Sequence, residues 1–257
     1  MLSSLRVLTF TGSDAASFLQ GYLTIDTARM TDGQCRLAAL TNLKGRVVAN
    51  GWCWQQSADV VQWAVHETLA DRVLAFLHPY LAFARTEATL PTDDHLLIGL
   101  LPADAPPTVR LVTSEDALDS LLDGVAVTDE AQWLAGCIQS GIALVTAATS
   151  ETFLPQMLGL VRAGAVDFDK GCYLGQEVVA RAEHRGAVKR GLVGLTGPVR
   201  MLEAGAELTD DTGRAAGTVI NAAAGACLAV VREPVAARYL ADGEQLVPQS
   251  SGFSSGA

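Results

Sequence analysis

The sequence predicts an α+β protein that ends in a small antiparallel β-barrel. Residues 7–101 contain several strand-like runs and two helical segments, a mixture typical of α+β modules. Residues 192–232 consist of short β runs with turns between them and no helical period, and this regular spacing indicates a barrel. Of the 257 residues, 49% are hydrophobic and 18% are charged, so the chain can bury an extensive core.

The first 101 residues are predicted to contain strands, two helices and the turns that join them. The helix Asp14–Gln20 follows an N-cap candidate and is expected to end at Gly21. The helix His66–Leu77 carries apolar side chains at helical spacing, and Pro79 is expected to follow it. Strands are predicted at residues 7–10, 36–40, 46–54, 60–65, 85–90 and 96–101.

The rest of the chain begins at a proline-rich break, residues 102–108, and ends in a tail rich in Ser and Gly. A short helix is predicted at Ser114–Leu122. The barrel strands are expected at residues 192–196, 206–209, 215–220 and 227–232. The predicted modules are therefore residues 1–101, 102–183 and 184–247, with a disordered tail at 248–257.

The composition excludes several classes of function. A net charge of −10 argues against general nucleic-acid binding, for which a broad basic surface is expected. No stretch approaches the roughly 18 apolar residues of a membrane helix, and the N-terminus lacks the pattern of an export signal. The five cysteines form no Cys-x-x-Cys pair, so neither a disulfide framework nor a metal ligand set is indicated. We expect a soluble protein of the reducing cytoplasm.

The strongest candidate site is the segment Lys170-Gly171-Cys172-Tyr173-Leu174-Gly175-Gln176-Glu177. Its glycines permit a close backbone approach or a positive φ, and a cation near a cysteine favours the reactive thiolate. Four of the 18 Lys and Arg residues follow within residues 181–190, which indicates either a site for a small anionic ligand or a solvated β-hairpin. The other four cysteines are interpreted as buried apolar residues. His184 could pair with the thiol, but a surface role is favoured.

The motif continues through Val178-Val179-Ala180-Arg181 and Arg185-Gly186, and in this form it resembles the signature of the YgfZ family. That family is related to the aminomethyltransferase, or T-protein, of the glycine cleavage system. Further segments that resemble the family are Phe18–Asp26, Leu37–Arg46, Leu154–Leu158 and Gly205–Val219. The resemblance therefore covers nearly the whole chain.

The resemblance implies a ring-like GcvT-like fold, in which three modules surround a central hole that accepts tetrahydrofolate or a derivative. Residues 1–101 correspond to the folate-binding module, 102–183 to the module with the cysteine motif, and 184–247 to the barrel. It also implies a role in the assembly or repair of iron–sulfur clusters, with indirect effects on iron–sulfur enzymes that modify tRNA. Members of the family are not generally established as enzymes, and no metal site is expected in this chain.

Cys172 is, by this resemblance, the functionally critical thiol. The residues expected to support it are Lys170, Gly171, Tyr173, Gly175, Gln176, Glu177 and Arg181. We expect the two cations of this set to favour the thiolate and to attract the glutamate tail of folate, and the two glycines to shape the loop. Contacts to folate are expected from Gln20, Asp26, Asn50, Gln139, Arg185 and Lys189.

Two departures from the aminomethyltransferase pattern bear on activity. Where those relatives have two aspartates, one of them catalytic, this chain has Ala49-Asn50, and an asparagine cannot act as a base. Where they use a glutamate to hold the pterin, this chain has Gln139, whose neutral amide forms hydrogen bonds roughly half as strong as those of a carboxylate. Glycine-cleavage chemistry is therefore not expected.

Two alternatives stay open beside the iron–sulfur role: a folate-dependent one-carbon transferase, and a structural adaptor with a vestigial folate cavity. The expected partners are a reduced folate and, transiently, iron–sulfur assembly or client proteins. We expect no direct contact with nucleic acid or membrane, and a monomer.

Overall fold

The structure is a computed structural model, and it describes residues 1–91, 96–112, 129–186, 188–198, 202–223 and 225–249. Its first part is a five-stranded antiparallel sheet with strand order β2-β3-β4-β1-β5. The strands are β1 Leu5–Thr11, β2 Cys35–Thr41, β3 Val47–Ser57, β4 Val60–His66 and β5 Glu87–Thr89. Eight consecutive residues of the central strand β3 are buried, because structure covers both faces of the sheet there.

Helix α1, Ala15–Gln20, confirms the first predicted helix, although Gly21 ends it with φ −79° rather than in the left-handed conformation. Helix α2, Ala70–Leu81, follows a 3₁₀ turn that buries Leu69, and the helix itself buries Val73 and Leu77. Pro79 was predicted to follow this helix and lies inside its last turn instead. The proline removes the hydrogen-bond donor for the carbonyl of Ala75, and that residue is exposed, so water can replace the lost bond.

A two-stranded antiparallel sheet follows, formed by β6 Leu96–Leu100 and β7 Thr108–Val112. The proline-rich residues 102–107 are the loop of this hairpin, so the predicted module boundary at 101/102 falls within a hairpin rather than in a linker. Prolines suit a tight loop between strands as well as a linker, so the local pattern alone does not distinguish the two. The predicted helix Ser114–Leu122 lies outside the described residues.

Helix α3, Glu130–Gln139, packs on this hairpin through Trp133. The Trp133 indole N–H donates to the carbonyl of Thr108 at 3.1 Å, and its ring lies 5.1 Å from that of Trp52 in the large sheet. A Cβ on Gly99 would lie 2.4 Å from the indole ring. The hairpin and the large sheet therefore share one core.

Helix α4, Gln176–Arg185, comes directly after the cysteine loop. It crosses the predicted boundary at 183/184, and it shows that residues 181–185 are helical and do not form the β-hairpin considered above. The sequence Gln-Glu-Val-Val-Ala-Arg-Ala-Glu is rich in helix formers, and Gly186 ends the helix in the left-handed conformation with φ +55°.

The predicted barrel is confirmed as a closed six-stranded barrel with strand order β10-β11-β8-β13-β12-β9. Its strands are β8 Arg190–Thr196, β9 Glu207–Thr209, β10 Ala215–Ala223, β11 Ala226–Arg232, β12 Tyr239–Ala241 and β13 Glu244–Pro248. Pro248, assigned to the tail from the sequence, pairs with Leu195 and belongs to the barrel. Side chains inside the barrel form their own core, while others, such as Ile220 and Leu228, join the core of the large sheet. Among the described helices, none has both the length and the apolar character needed to cross a bilayer.

Candidate functional site

Lys170 fixes the cysteine loop to the end of helix α1 and the segment that follows it. Its ammonium Nζ donates to the carbonyl oxygens of Gln20, Leu23 and Ile25 at 2.8, 2.6 and 2.7 Å. The residue is only 8% exposed, and this burial lowers the pKa of Lys170 to about 8. An ammonium group has three hydrogens, and all three are used here. Lys170 is therefore a structural anchor, and the expected contact between Lys170 and the folate tail is not available.

Tyr173 packs beside this anchor. Lys170 Nζ lies 5.2 Å from the centre of the Tyr173 ring, a distance at which a cation is attracted to an aromatic face. Burial raises the pKa of the Tyr173 hydroxyl, and within the described part of the chain that hydroxyl has no hydrogen-bond partner. Tyr173 thus closes the inner side of the loop while its neighbour Cys172 faces solvent.

An ion pair that the sequence did not reveal strengthens the same connection. Arg36 binds both carboxylate oxygens of Asp167 at 2.7 and 2.8 Å, and Asp167 also accepts the backbone N–H of Asp26 at 2.6 Å. The hydrogen bonds from Arg36 hold the pKa of Asp167 below its ordinary value. The partners are 131 residues apart in sequence, so no local pattern could have indicated them.

Gln20 and Asp26, two of the predicted folate contacts, have their polar atoms directed into their own loop. The Gln20 side-chain oxygen accepts the backbone N–H of Thr27 at 2.7 Å, and its amide nitrogen donates to Asp26 Oδ1 at 3.1 Å. The second Asp26 oxygen lies 3.2 Å from Nε of Arg29. These bonds shape the segment whose carbonyl groups hold Lys170, and the folate contacts predicted for Gln20 and Asp26 stay predictions.

Gly175 shapes the end of the cysteine loop. It precedes helix α4 with φ +83°, and a Cβ there would lie 2.3 Å from the carbonyl oxygen of Asn42. Gly171 has no atom within 4 Å of such a Cβ and no positive φ, so only Gly175 is required by the geometry. The hydroxyl of Thr41 donates to the carbonyl of Leu174 at 2.5 Å, and Gln176 accepts the backbone N–H of Tyr173 at 3.2 Å.

Cys172 is the one exposed cysteine of the five. Cys53, Cys137 and Cys227 are buried, and Cys35 is half-buried. Burial raises the pKa of each of these four thiols, that of Cys227 to about 12. A thiol reacts as its thiolate, so the structure leaves Cys172 as the cysteine that can meet a reagent or a partner.

The basic residues after the motif lie at the surface. Arg181 and Arg185 are exposed on helix α4, and Lys189 is exposed just before the barrel. Glu177 is exposed in the first turn of the same helix, where a carboxylate interacts favourably with the helix dipole. None of the three cations forms an ion pair within 4.0 Å with an acidic residue of the described segments.

Asn50 is fully buried in strand β3, where it holds a distant loop. Its amide nitrogen donates to the carbonyl of Ala143 at 2.8 Å, and its oxygen accepts the backbone N–H of Val145 at 2.8 Å. Both bonds tie Asn50 to this loop, and the folate contact predicted for Asn50 stays a prediction. Gln139, at the end of helix α3, is exposed.

A cavity of about 270 Å³ lies at the barrel. It is lined by Gly191, Leu192, Val193, Val231, Glu233, Pro234 and Val235. None of the predicted folate contacts is among these lining residues.

Comparison with known proteins identifies the fold first. A family model of the GCVT N-terminal domain matches residues 2–122. The glycine cleavage system aminomethyltransferase T from Bartonella henselae superposes with a TM-score of 0.70 at 18% identity, covering 97% of this chain and 84% of that one. The protein thus has the GcvT-like aminomethyltransferase fold.

The family follows from curated relatives. The tRNA-modifying protein YgfZ of Escherichia coli O157:H7 is 33% identical and that of Klebsiella pneumoniae strain 342 is 32% identical, each match covering 86% of this chain and 79% of the relative. The chain belongs to the YgfZ family.

Proposed function

We propose that this protein binds tetrahydrofolate or a derivative in the cytoplasm and supports the assembly or repair of iron–sulfur clusters through the Cys172 thiol. Its effect on tRNA modification, suggested by the name of its relatives, is then indirect and passes through iron–sulfur enzymes. The relatives' family and the fold both agree with a folate-related role.

One observation carries the proposal: an exposed thiol stands on a loop that buried interactions hold in place. Lys170 joins this loop to three carbonyl groups of another segment, and Gly175 packs it against the turn at Asn42. A chain that needed Cys172 only as a packing residue would bury it, as it buries Cys53 and Cys137. Buried polar contacts that hold the loop of an accessible thiol in place support a functional role for this thiol.

The residues present fit the acidic end of folate better than its pterin. Arg185 and Lys189 are exposed cations without an ion pair among the described residues, and they suit the carboxylates of the glutamate tail. For the pterin, Gln139 offers an exposed amide. When bound, tetrahydrofolate would supply or accept a one-carbon unit, and this chain would hold and orient it.

The one-carbon transferase is the weaker alternative. Asn50 is neutral, buried and engaged on both sides of its amide, and Ala49 beside it carries no polar group. No carboxylate therefore occupies the place where the aminomethyltransferase pattern puts its base. Turnover of a methylated or formylated folate that is lost in Cys172→Ala would revive this alternative.

Calorimetric titration with tetrahydrofolate under anaerobic conditions tests the folate part of the proposal. We expect saturable binding that weakens about tenfold in the variant Arg185→Glu/Lys189→Glu, a loss equivalent to roughly 1.4 kcal/mol of binding free energy. The variant Arg214→Glu/Arg238→Glu, which changes the same charge on exposed residues elsewhere, should bind like the wild type. Absence of binding by the wild type would favour the adaptor with a vestigial cavity.

A further inference from the structure

An exposed apolar residue and a cation lie at the same end of helix α4 as Cys172. The turn between β2 and β3 packs against the first turn of α4: a Cβ on Gly175 would lie 2.3 Å from the Asn42 carbonyl, and one on Gly45 would lie 2.9 Å from Val178. Leu43, at the tip of this turn, is 77% exposed, and Lys44 beside it is also exposed. Asn42 fixes the turn by accepting two backbone N–H groups at 2.9 and 3.0 Å.

Helix α4 adds a second cation near this turn. Arg181 follows Val178 by three residues, so the two side chains lie on one face of the helix, and Val178 is the residue that meets the turn. Arg181 is exposed. We call Leu43, Lys44 and Arg181 the collar of Cys172.

Arg181 belongs to the most basic stretch of an acidic chain. Residues 181–190 hold four Lys and Arg residues and one acidic residue, Glu183, whereas the whole chain has a net charge of −10. Elsewhere, arginines such as Arg36, Arg72 and Arg85 are held in ion pairs with acidic residues. Glu177 is the acidic residue on α4 closest in sequence to the thiol, and it lies in the first turn of the helix. Lys44 helps to lower the pKa of the Glu151 carboxyl, and Glu177 precedes Arg181 by four residues on α4. Neither acid forms an ion pair within 4.0 Å with a collar cation among the described residues, so both cations can meet an external anion.

We infer that the collar is a docking surface for an acidic segment of a partner protein, which would thereby meet the Cys172 thiol. The inference rests on the proposed function and names the chemistry of the partner. Unpaired cations complement acidic side chains and speed their encounter. An exposed leucine beside them offers an apolar anchor, which protein interfaces use and phosphate backbones do not.

A protein segment fits this surface better than RNA. A long polyanion would also contact the surface beyond the collar, and the net charge of −10 of the chain opposes its binding. A short acidic segment needs only the local cations. Single-stranded bases stack on aromatic side chains, whereas Leu43 is an exposed aliphatic residue.

The attraction of anions to the Cys172 thiol can be measured on the full-length protein with two disulfide reagents of different charge. The rate of reaction of Cys172 is compared for dianionic dithiobis(nitrobenzoate) and neutral dithiodipyridine, after subtracting the signal of Cys172→Ser. We expect the anionic-to-neutral rate ratio to fall at least about threefold in Lys44→Glu/Arg181→Glu, and the wild-type ratio to fall with added salt. The matched control Arg232→Glu/Arg238→Glu should keep the wild-type ratio. An unchanged ratio in Lys44→Glu/Arg181→Glu would overturn the inference.

Docking itself is tested by complementation of a strain that lacks its YgfZ-family homologue. Leu43→Glu and Lys44→Glu/Arg181→Glu should fail to rescue, while the wild type and Arg232→Glu/Arg238→Glu rescue, with urea unfolding confirming that each variant is folded. Full rescue by both collar variants would overturn the docking surface. If Cys172→Ser rescues fully, the proposed function fails, and the rate ratio alone then decides on the collar.

A gel-shift measurement with tRNA tests whether the collar binds RNA instead of an acidic protein segment. We expect no binding by the wild type at physiological salt. Binding by the wild type that is lost in Lys44→Glu/Arg181→Glu would assign the surface to RNA and overturn the assignment to an acidic protein.

Discussion

Nζ of Lys170 lies 2.6 Å from the carbonyl oxygen of Leu23, and this contact joins segments 147 residues apart in the sequence. Leu23 is fully buried behind helix α1, and Lys170 stands two residues before Cys172. The bond therefore ties the loop that carries the exposed thiol to the buried segment after helix α1. The ion pair between Arg36 and Asp167 holds the same two parts of the chain together a few residues away.

Replacing Lys170 by methionine should lower the free energy of unfolding by roughly 3 kcal/mol, because three buried carbonyl groups lose a charged donor. Urea unfolding followed by circular dichroism gives this value. Lys189→Met removes an exposed lysine instead and should change stability by less than about 0.5 kcal/mol. Equal stability of the two variants would refute the anchor.

Gly175→Ala and Gly171→Ala form a matched pair within one loop. An alanine at position 175 must adopt φ near +83° and would place its Cβ 2.3 Å from a backbone oxygen, so we expect a loss of at least about 2 kcal/mol. An alanine at position 171 meets no atom within 4 Å and should leave the thermal midpoint unchanged. Thermal unfolding of both variants decides the point, and a neutral Gly175→Ala would contradict the geometry.

The Arg36–Asp167 pair predicts an acid-dependent contribution to stability. The pKa of folded Asp167 is lower than its unfolded value of 3.8, so the contribution is complete above the unfolded pKa and is lost as the pH falls through the folded pKa. The difference in unfolding free energy between wild type and Asp167→Asn should therefore stay constant from about pH 7 to 5 and shrink below about pH 4. Urea titrations at several pH values measure it. A difference that grows toward low pH would have the wrong sign.

Asn50→Asp tests whether the missing carboxylate could simply be restored. The introduced carboxylate would face the Ala143 carbonyl in a fully buried position, so we expect a loss of roughly 3 kcal/mol in stability and no gain of transferase activity. Gln139→Glu makes the same chemical change at an exposed site and should cost less than about 0.5 kcal/mol. A stable Asn50→Asp protein with one-carbon transferase activity would overturn the account of this position.

Much of the architecture could be predicted because it depends on local patterns. Short β-type runs between turn residues predicted the strands of the large sheet and of the barrel, and the unusual setting of Cys172 identified the thiol that proves to be exposed. The errors arose where one local pattern suits two structures. Proline occurs both in linkers and in hairpin loops, and a proline in the last turn of a helix is tolerated when the affected carbonyl is exposed.

The roles of side chains in the candidate site depended on contacts that sequence separation hides. The sequence predicts ligand contacts for Lys170 and Asn50, and the structure shows that each bonds to backbone groups of a segment about a hundred residues or more away. Buried polar groups require such partners, but the sequence does not state where the partners are. A charged residue in a motif can therefore be indispensable as an anchor without touching the substrate.

The central claim is that the exposed Cys172 thiol, and not merely the fold around it, performs the function. The most direct measurement is complementation of a strain lacking its YgfZ-family homologue, with the activity of an iron–sulfur enzyme as the readout and equal protein levels verified. We predict that Cys172→Ser fails to restore this activity although it folds with wild-type stability, while Cys53→Ala, if expressed at the same level, restores it. Full restoration by Cys172→Ser would contradict the account.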